Sequence, residues 1–132
     1  MSDVIKAWHH IVDTLDPSTM DELLAEDVVF HSPVVHTPQQ GKYITSLYLK
    51  AAMQVLNAPG HFRYLREVVQ GDNAVLEFET RIGDVVVNGV DMIRWNSDGK
   101  VIDFKVMVRP LKAVNAIHQA MGSMLEAMKP RG

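Results

Sequence analysis

Apolar positions along this chain change period near Gly60, from helical spacing before it to alternation after it. Val4, Trp8, Ile11, Val12 and Leu15 recur on one side of a helix over about residues 3–15, capped by Ser2 or Asp3 and broken by Asp16-Pro17. Ser18 then caps a short second helix, about 18–25, with Asp21 completing an imperfect capping box and Met20, Leu23 and Leu24 on its apolar side. A β-prone run at about 27–31, Val28-Val29-Phe30-His31, stops at Ser32-Pro33, because proline has no N–H to give a ladder. Helical spacing returns over about 39–56 through Ile44, Leu47, Tyr48, Ala51, Ala52, Val55 and Leu56. Asn57-Ala58-Pro59-Gly60 terminates it.

Beyond Gly60, alternation predicts strands over about 61–70, 74–82, 85–95 and 100–109. They are joined by Gly71-Asp72-Asn73, Gly83-Asp84 and Asn96-Ser97-Asp98-Gly99. Connections this short make an antiparallel meander. Pro110 ends it, and Leu111, Val114, Ile117, Met121, Met124 and Met128 share one face of a last helix over 111–128. No repeat or linker divides the chain, so residues 1–132 read as one α+β domain. The N-terminal helices are expected to pack on the antiparallel sheet, and a C-terminal helix is added.

Alternation also sorts the strand residues by face. Leu76, Phe78, Thr80 and Ile82 face the core opposite Glu77, Glu79 and Arg81; Ile102, Phe104, Val106 and Val108 oppose Asp103, Lys105, Met107 and Arg109. In the third strand of the meander, the apolar face of Val85, Val87, Gly89, Ile93 and Trp95 also carries Asp91. A carboxylate there loses hydration, which raises its pKa unless a cation or several donors compensate. It is either a structural carboxylate, satisfied by backbone donors or an arginine, or a working group in a pocket.

Composition narrows the classes. With 132 residues, 47% of them hydrophobic and 22% charged, the chain can bury a core without staples. A net charge of −3 and no basic stripe argue against nucleic acid as a partner. The absence of cysteine excludes disulfides and thiolate metal sites. No apolar run is long enough to span a membrane, and the first residues do not read as a signal peptide, so the expected location is the cytoplasm.

His9, His10, His31 and His36 invite a metal, but neighbours on a helix point apart and His31 alternates away from the inward Phe30, so no metal is assigned. His36, on the loop after Pro33, is a candidate acid/base group at a pocket mouth. Tyr43, Tyr48 and Tyr64 each offer a hydroxyl, with nothing in the sequence to choose among them. The outer sheet face, with Val90, Met92, Arg94, Lys105, Met107 and Arg109, mixes apolar and charged residues and suits a homodimer.

Two stretches carry a family resemblance: Ala25-Glu26-Asp27-Val28-Val29-Phe30-His31-Ser32-Pro33 and Gly89-Val90-Asp91-Met92-Ile93-Arg94-Trp95-Asn96-Ser97-Asp98-Gly99-Lys100-Val101. In this element order, up to about Pro110, the chain resembles the nuclear transport factor 2-like superfamily. Within it, the nearest branch is the SnoaL-like one of polyketide cyclases and ketosteroid isomerases. The resemblance implies a cone-shaped sheet open at one end to a small apolar ligand, homodimerisation, and no cofactor. It places Asp91 where the isomerase keeps a protonated carboxyl for an enolate oxygen. Ser32 stands where the isomerase has its general-base aspartate, and Trp8 where it has its oxyanion tyrosine. Indole donates one hydrogen bond but is not a phenol, so steroid isomerisation as such is not expected. The resemblance to SnoaL-like cyclases, which use a single acid/base carboxylate, implies that role for Asp91. The implied site has Asp91 and His36 as acid/base groups, Ser32 as a polar contact, and Trp8, Val12, Phe30, Leu47, Phe78, Phe104 and Val106 as its wall. The expected function is a cofactor-independent isomerase, cyclase or lyase on an apolar carbonyl or cyclic compound. The alternative is a carrier or sensor that uses the same pocket without chemistry.

Overall fold

The structure, a computed structural model, describes residues 3–57 and 60–128; the Ser2 cap and the Ala58-Pro59 part of the terminator lie outside the described residues. Helix α1 (Asp3–Thr14) is followed by a 3-10 turn (Pro17–Thr19), α2 (Met20–Leu23), β1 (Leu24–His31), β2 (Gln39–Gln40) and α3 (Lys42–Ala52). A π-helical turn (Met53–Asn57) extends α3. Then come β3 (Arg63–Gln70), β4 (Asn73–Ile82), β5 (Val85–Trp95), β6 (Val101–Arg109) and α4 (Leu111–Met128).

Several expected boundaries move, each for a local reason. Asp16 rather than Ser18 is the cap: its carboxylate accepts the Ser18 N–H at 3.0 Å. The second helix then ends at Leu23, because Leu24 already pairs with Val101 in the sheet. Gln39 and Gln40 pair with Phe30 and Val29, so they form a short strand instead of opening a helix. Gly41, at φ +104, supplies the left-handed backbone that turns from this strand into α3. The buried side of α3 is also rotated from the expected one: Thr45, Ser46, Leu49 and Ala51 are buried, while Ile44, Leu47 and Tyr48 are only half-buried.

The strands form a six-stranded sheet in the order β2-β1-β6-β5-β4-β3. The meander β3 to β6 is antiparallel throughout, as its turns require. The sheet as a whole is mixed, however, because β1 runs parallel to β6. That pairing joins strands far apart in the chain, and no turn announces it. A bulge in β6 sets Val101 against Trp95 and Asp103 against Arg94, leaving Ile102 unpaired. Val101 therefore takes the core position expected of Ile102.

Two buried clusters fill the concave side. One gathers α1, α2 and the ends of β4 to β6, around Trp8, Leu76, Trp95 and Phe104. The other lies under α4, around Phe78, Val87, Ile117 and Met121. Tyr48, Phe62, Tyr64 and Val106 pack against both, so the clusters meet along a seam. α4 packs on α3, β5 and β6 of its own chain. The opposite sheet face, where the sequence suggests homodimer contact, exposes Val68, Val75, Met92 and Met107 beside the Arg66–Glu77 ion pair at 2.6 Å. Among the described residues, no helix is long and apolar enough to cross a membrane.

Candidate active site

A cavity of about 50 Å³ lies at the seam between the clusters. Helix α1 contributes Trp8 and Val12 to its wall, and β1 contributes Phe30. Phe78 comes from β4, Phe104 and Val106 come from β6, and Ile117 and Met121 of α4 close one side. Leu49, Ala52, Met53 and Leu56 face it because the π-helical turn carries on the inward side of α3. The polar residues at this wall are Asp91, Tyr64, Ser32 and Asn57.

Asp91 sits where strand alternation puts it, on the inner face of β5, and is 6% exposed. The Tyr64 hydroxyl donates to Asp91 Oδ2 at 2.7 Å, and Trp8 Nε1 donates to the Tyr64 oxygen at 2.8 Å. Oδ1 of Asp91 has no hydrogen-bond partner among the described residues. Burial pushes the Asp91 carboxyl up to about 7, against the pull of the Tyr64 hydrogen bond, which favours the charged form. The Tyr64 phenol is pushed well above its ordinary value of 10, first by burial and then by the Asp91 charge and hydrogen bond. The proton of this pair therefore stays on Tyr64, and Asp91 is the member that changes charge near neutrality. No arginine satisfies Asp91 among the described residues; its recorded partner is a neutral phenol.

Replacing Tyr64 by Phe removes a donor that stabilises the charged carboxylate and leaves the Trp8 N–H without its acceptor. A hydrogen bond to a charged group contributes about 1.5 kcal/mol or more, so Tyr64→Phe is expected to raise the Asp91 pKa further by about one pH unit. Carbon-13 NMR of the Asp91 carboxyl carbon through a pH titration measures this directly. An unchanged midpoint would show that the hydrogen bond does not set the charge of Asp91.

The structure gathers Trp8, Val12, Phe30, Ser32, Phe78, Asp91, Phe104 and Val106 around the cavity. Trp8 reaches it mainly as a support for Tyr64. Two expected residues are not brought there. His36 is exposed on the loop after Pro33 and is not part of the wall. Leu47 points into a shallow surface groove with Lys42 and Lys50, because it lies two residues, roughly 200°, around the helix from the inward Leu49. Among the three tyrosines, Tyr43 is exposed and Tyr48 packs on Phe30. Tyr64 holds Asp91, and the sequence carried no signal for it, since a register shift in β3 between Tyr64 and Arg66 sets its position. Outside the cavity, His31 pairs with Asp103 at 2.9 Å and His9 pairs with Glu67. Among the described residues, no group of three or more His, Cys, Asp or Glu is placed to hold a metal.

Residues 5–104 match the SnoaL-like domain family. The chain belongs to that family. Among solved structures, this SnoaL-like protein is similar to a steroid delta-isomerase from Pseudomonas aeruginosa, at 36% identity and a TM-score of 0.89, covering 94% of this chain and 90% of that one. It is also similar to an uncharacterised protein with a cystatin-like fold from Silicibacter pomeroyi, at 34% identity and a TM-score of 0.85, covering 93% of this chain and 85% of that one. An NTF2-like protein of unknown function from Mesorhizobium loti shares the fold at 19% identity, with a TM-score of 0.72 and coverage of 82% and 89% of the two chains. No protein of curated function matches.

Proposed function

We propose that this SnoaL-like protein is a cofactor-independent acid–base enzyme, an isomerase, cyclase or lyase, that acts on a small apolar carbonyl compound. One observation carries the reading: a carboxyl with a pKa of about 7 lies at the wall of an apolar cavity with Oδ1 unpartnered among the described residues. A general base or acid works best when its pKa lies near the operating pH. The similarity to the Pseudomonas aeruginosa isomerase supports proton transfer beside a carbonyl as the reaction class. Its steroid does not transfer with it. A cavity of about 50 Å³ is far smaller than four fused rings, which limits the candidates to the smallest ketones. In this reading Asp91 takes a proton from the carbon beside the carbonyl and returns it, while Tyr64 and Trp8 hold the carboxylate in place.

The test is exchange of α-protons of small ketones in heavy water, followed by proton NMR. The wild type should accelerate exchange, with a rise through pH 7 as Asp91 ionises. Asp91→Asn should lose about 10²–10⁴-fold. Equal rates in the two proteins would sink the assignment. Because Asp91 is the only carboxylate among the described wall residues, a carrier or sensor is the second reading. A ketone that binds and is recovered without exchange would favour it.

A further inference from the structure

We infer that Ser32 is the oxygen-binding pole of this site, donating a hydrogen bond to the substrate carbonyl while Asp91 works on the neighbouring carbon. This rests on the acid–base reading above and adds the orientation and size of the substrate.

The argument starts from strand register. β1 and β6 run parallel with Phe30 opposite Phe104 and His31 opposite Lys105. β1 ends at His31, directly before Ser32, while β6 runs on to Val106, the antiparallel partner of Asp91. Ser32, Val106 and Asp91 all line the cavity. Neighbouring strands lie about 4.8 Å apart, so β1 and β5, which flank β6, stand roughly 10 Å apart. Both residues border the same cavity, with Val106 of the intervening β6 at its wall between them.

The hydrogen bonding of Ser32 fixes its role. Its Oγ accepts the Val34 N–H at 3.2 Å, a turn bond set by the Ser32-Pro33 corner. One lone pair is thereby occupied, and the hydroxyl proton has no acceptor among the described residues. A hydroxyl in that state presents a donor to the cavity. At the wall of the same cavity, the unpartnered Oδ1 of Asp91 presents an acceptor when ionised. A donor and a basic acceptor at the wall of one apolar cavity match a ketone held between them. The step balances: the C–H pair becomes the C=C bond of the enolate, the carbonyl π pair moves onto oxygen, and the proton resides on Asp91. Return of that proton to carbon completes the exchange or isomerisation.

Carbonyl-labelled [13C]cyclopentanone tests this without depending on turnover. A donor to the carbonyl moves its carbon resonance downfield, so the bound ketone should be shifted downfield in the wild type and equally in Asp91→Asn. In Ser32→Ala the shift should disappear while the ketone still binds. α-Proton exchange should fall about 10²–10³-fold, with the pH dependence near 7 unchanged because Asp91 is intact. A downfield shift that persists in Ser32→Ala overturns the assignment. So does wild-type exchange in Ser32→Ala, and if Asp91→Asn is then inactive the acid–base reading stands without it. A wild type that neither binds nor exchanges cyclopentanone overturns the substrate class.

Discussion

Asp91→Asn is expected to stabilise this protein at pH 8 while abolishing its proposed activity. The sign follows from the raised carboxyl. The folded state binds the Asp91 proton up to about pH 7, whereas the unfolded chain releases it near the ordinary value of 3.8. Between those values the folded state holds more protons, so its stability falls as pH rises and the loss is complete just above pH 7. A difference of about three pH units corresponds to about 4 kcal/mol, a large share of the stability of a single domain. Asparagine carries no charge at any pH, and its amide oxygen can still accept the Tyr64 hydroxyl. The variant therefore escapes the loss. Melting temperatures of the two proteins should diverge as pH rises from 5 to 8, by about 3 kcal/mol or roughly 10 °C in favour of the variant. Parallel curves would mean that Asp91 is ionised at low pH in the folded state, and the acid–base reading would fail with it. A group kept at this cost in stability, and not replaced by its neutral isostere, fits a working site better than a structural one.

The difference between what the sequence conveyed and what it withheld has a physical basis. Alternation in β5 identified Asp91 as a carboxylate on an apolar face, because a strand's period of two is a local property. The final helix carried its start in its pattern, with Pro110 before Leu111. Three features depended on pairings across the chain. The parallel contact of β1 with β6, the bulge at Ile102, and the shift in β3 beyond Tyr64 are each set by partners far away in sequence. Tyr64 could not be chosen over Tyr48 for that reason. The phase of α3 was missed differently: Thr45 and Ser46 are buried with hydroxyl oxygens that lack partners among the described residues, and apolar spacing alone does not anticipate them.

The shape of the cavity should depend as strongly on a residue that has no side chain. A methyl group added at Gly89 would meet Phe78 Cζ at 2.5 Å, Phe78 Cε2 at 2.8 Å and the Met107 carbonyl oxygen at 2.7 Å. Here the need for glycine is one of space, since the Phe78 ring lies directly over the β5 backbone. Phe78 is fully buried and stacked on Phe62, with ring centroids 5.1 Å apart, and both rings line the cavity. The Met107 oxygen belongs to the β6 backbone beside Gly89 and cannot swing away as a side-chain end could. In Gly89→Ala the ring must therefore move toward the cavity or the two strands must part. Overpacking of this kind costs about 1–3 kcal/mol, so the melting temperature should fall by roughly 3–10 °C. Ketone binding should weaken with it, because a space of about 50 Å³ has little to give up to a displaced ring. Adding Phe78→Leu to Gly89→Ala should recover part of the loss, since the clash is removed at its other end, and a double-mutant cycle measures that coupling. Additive losses in the cycle would show that the methyl acts on the Met107 carbonyl and the strand pairing, and not on the cavity wall.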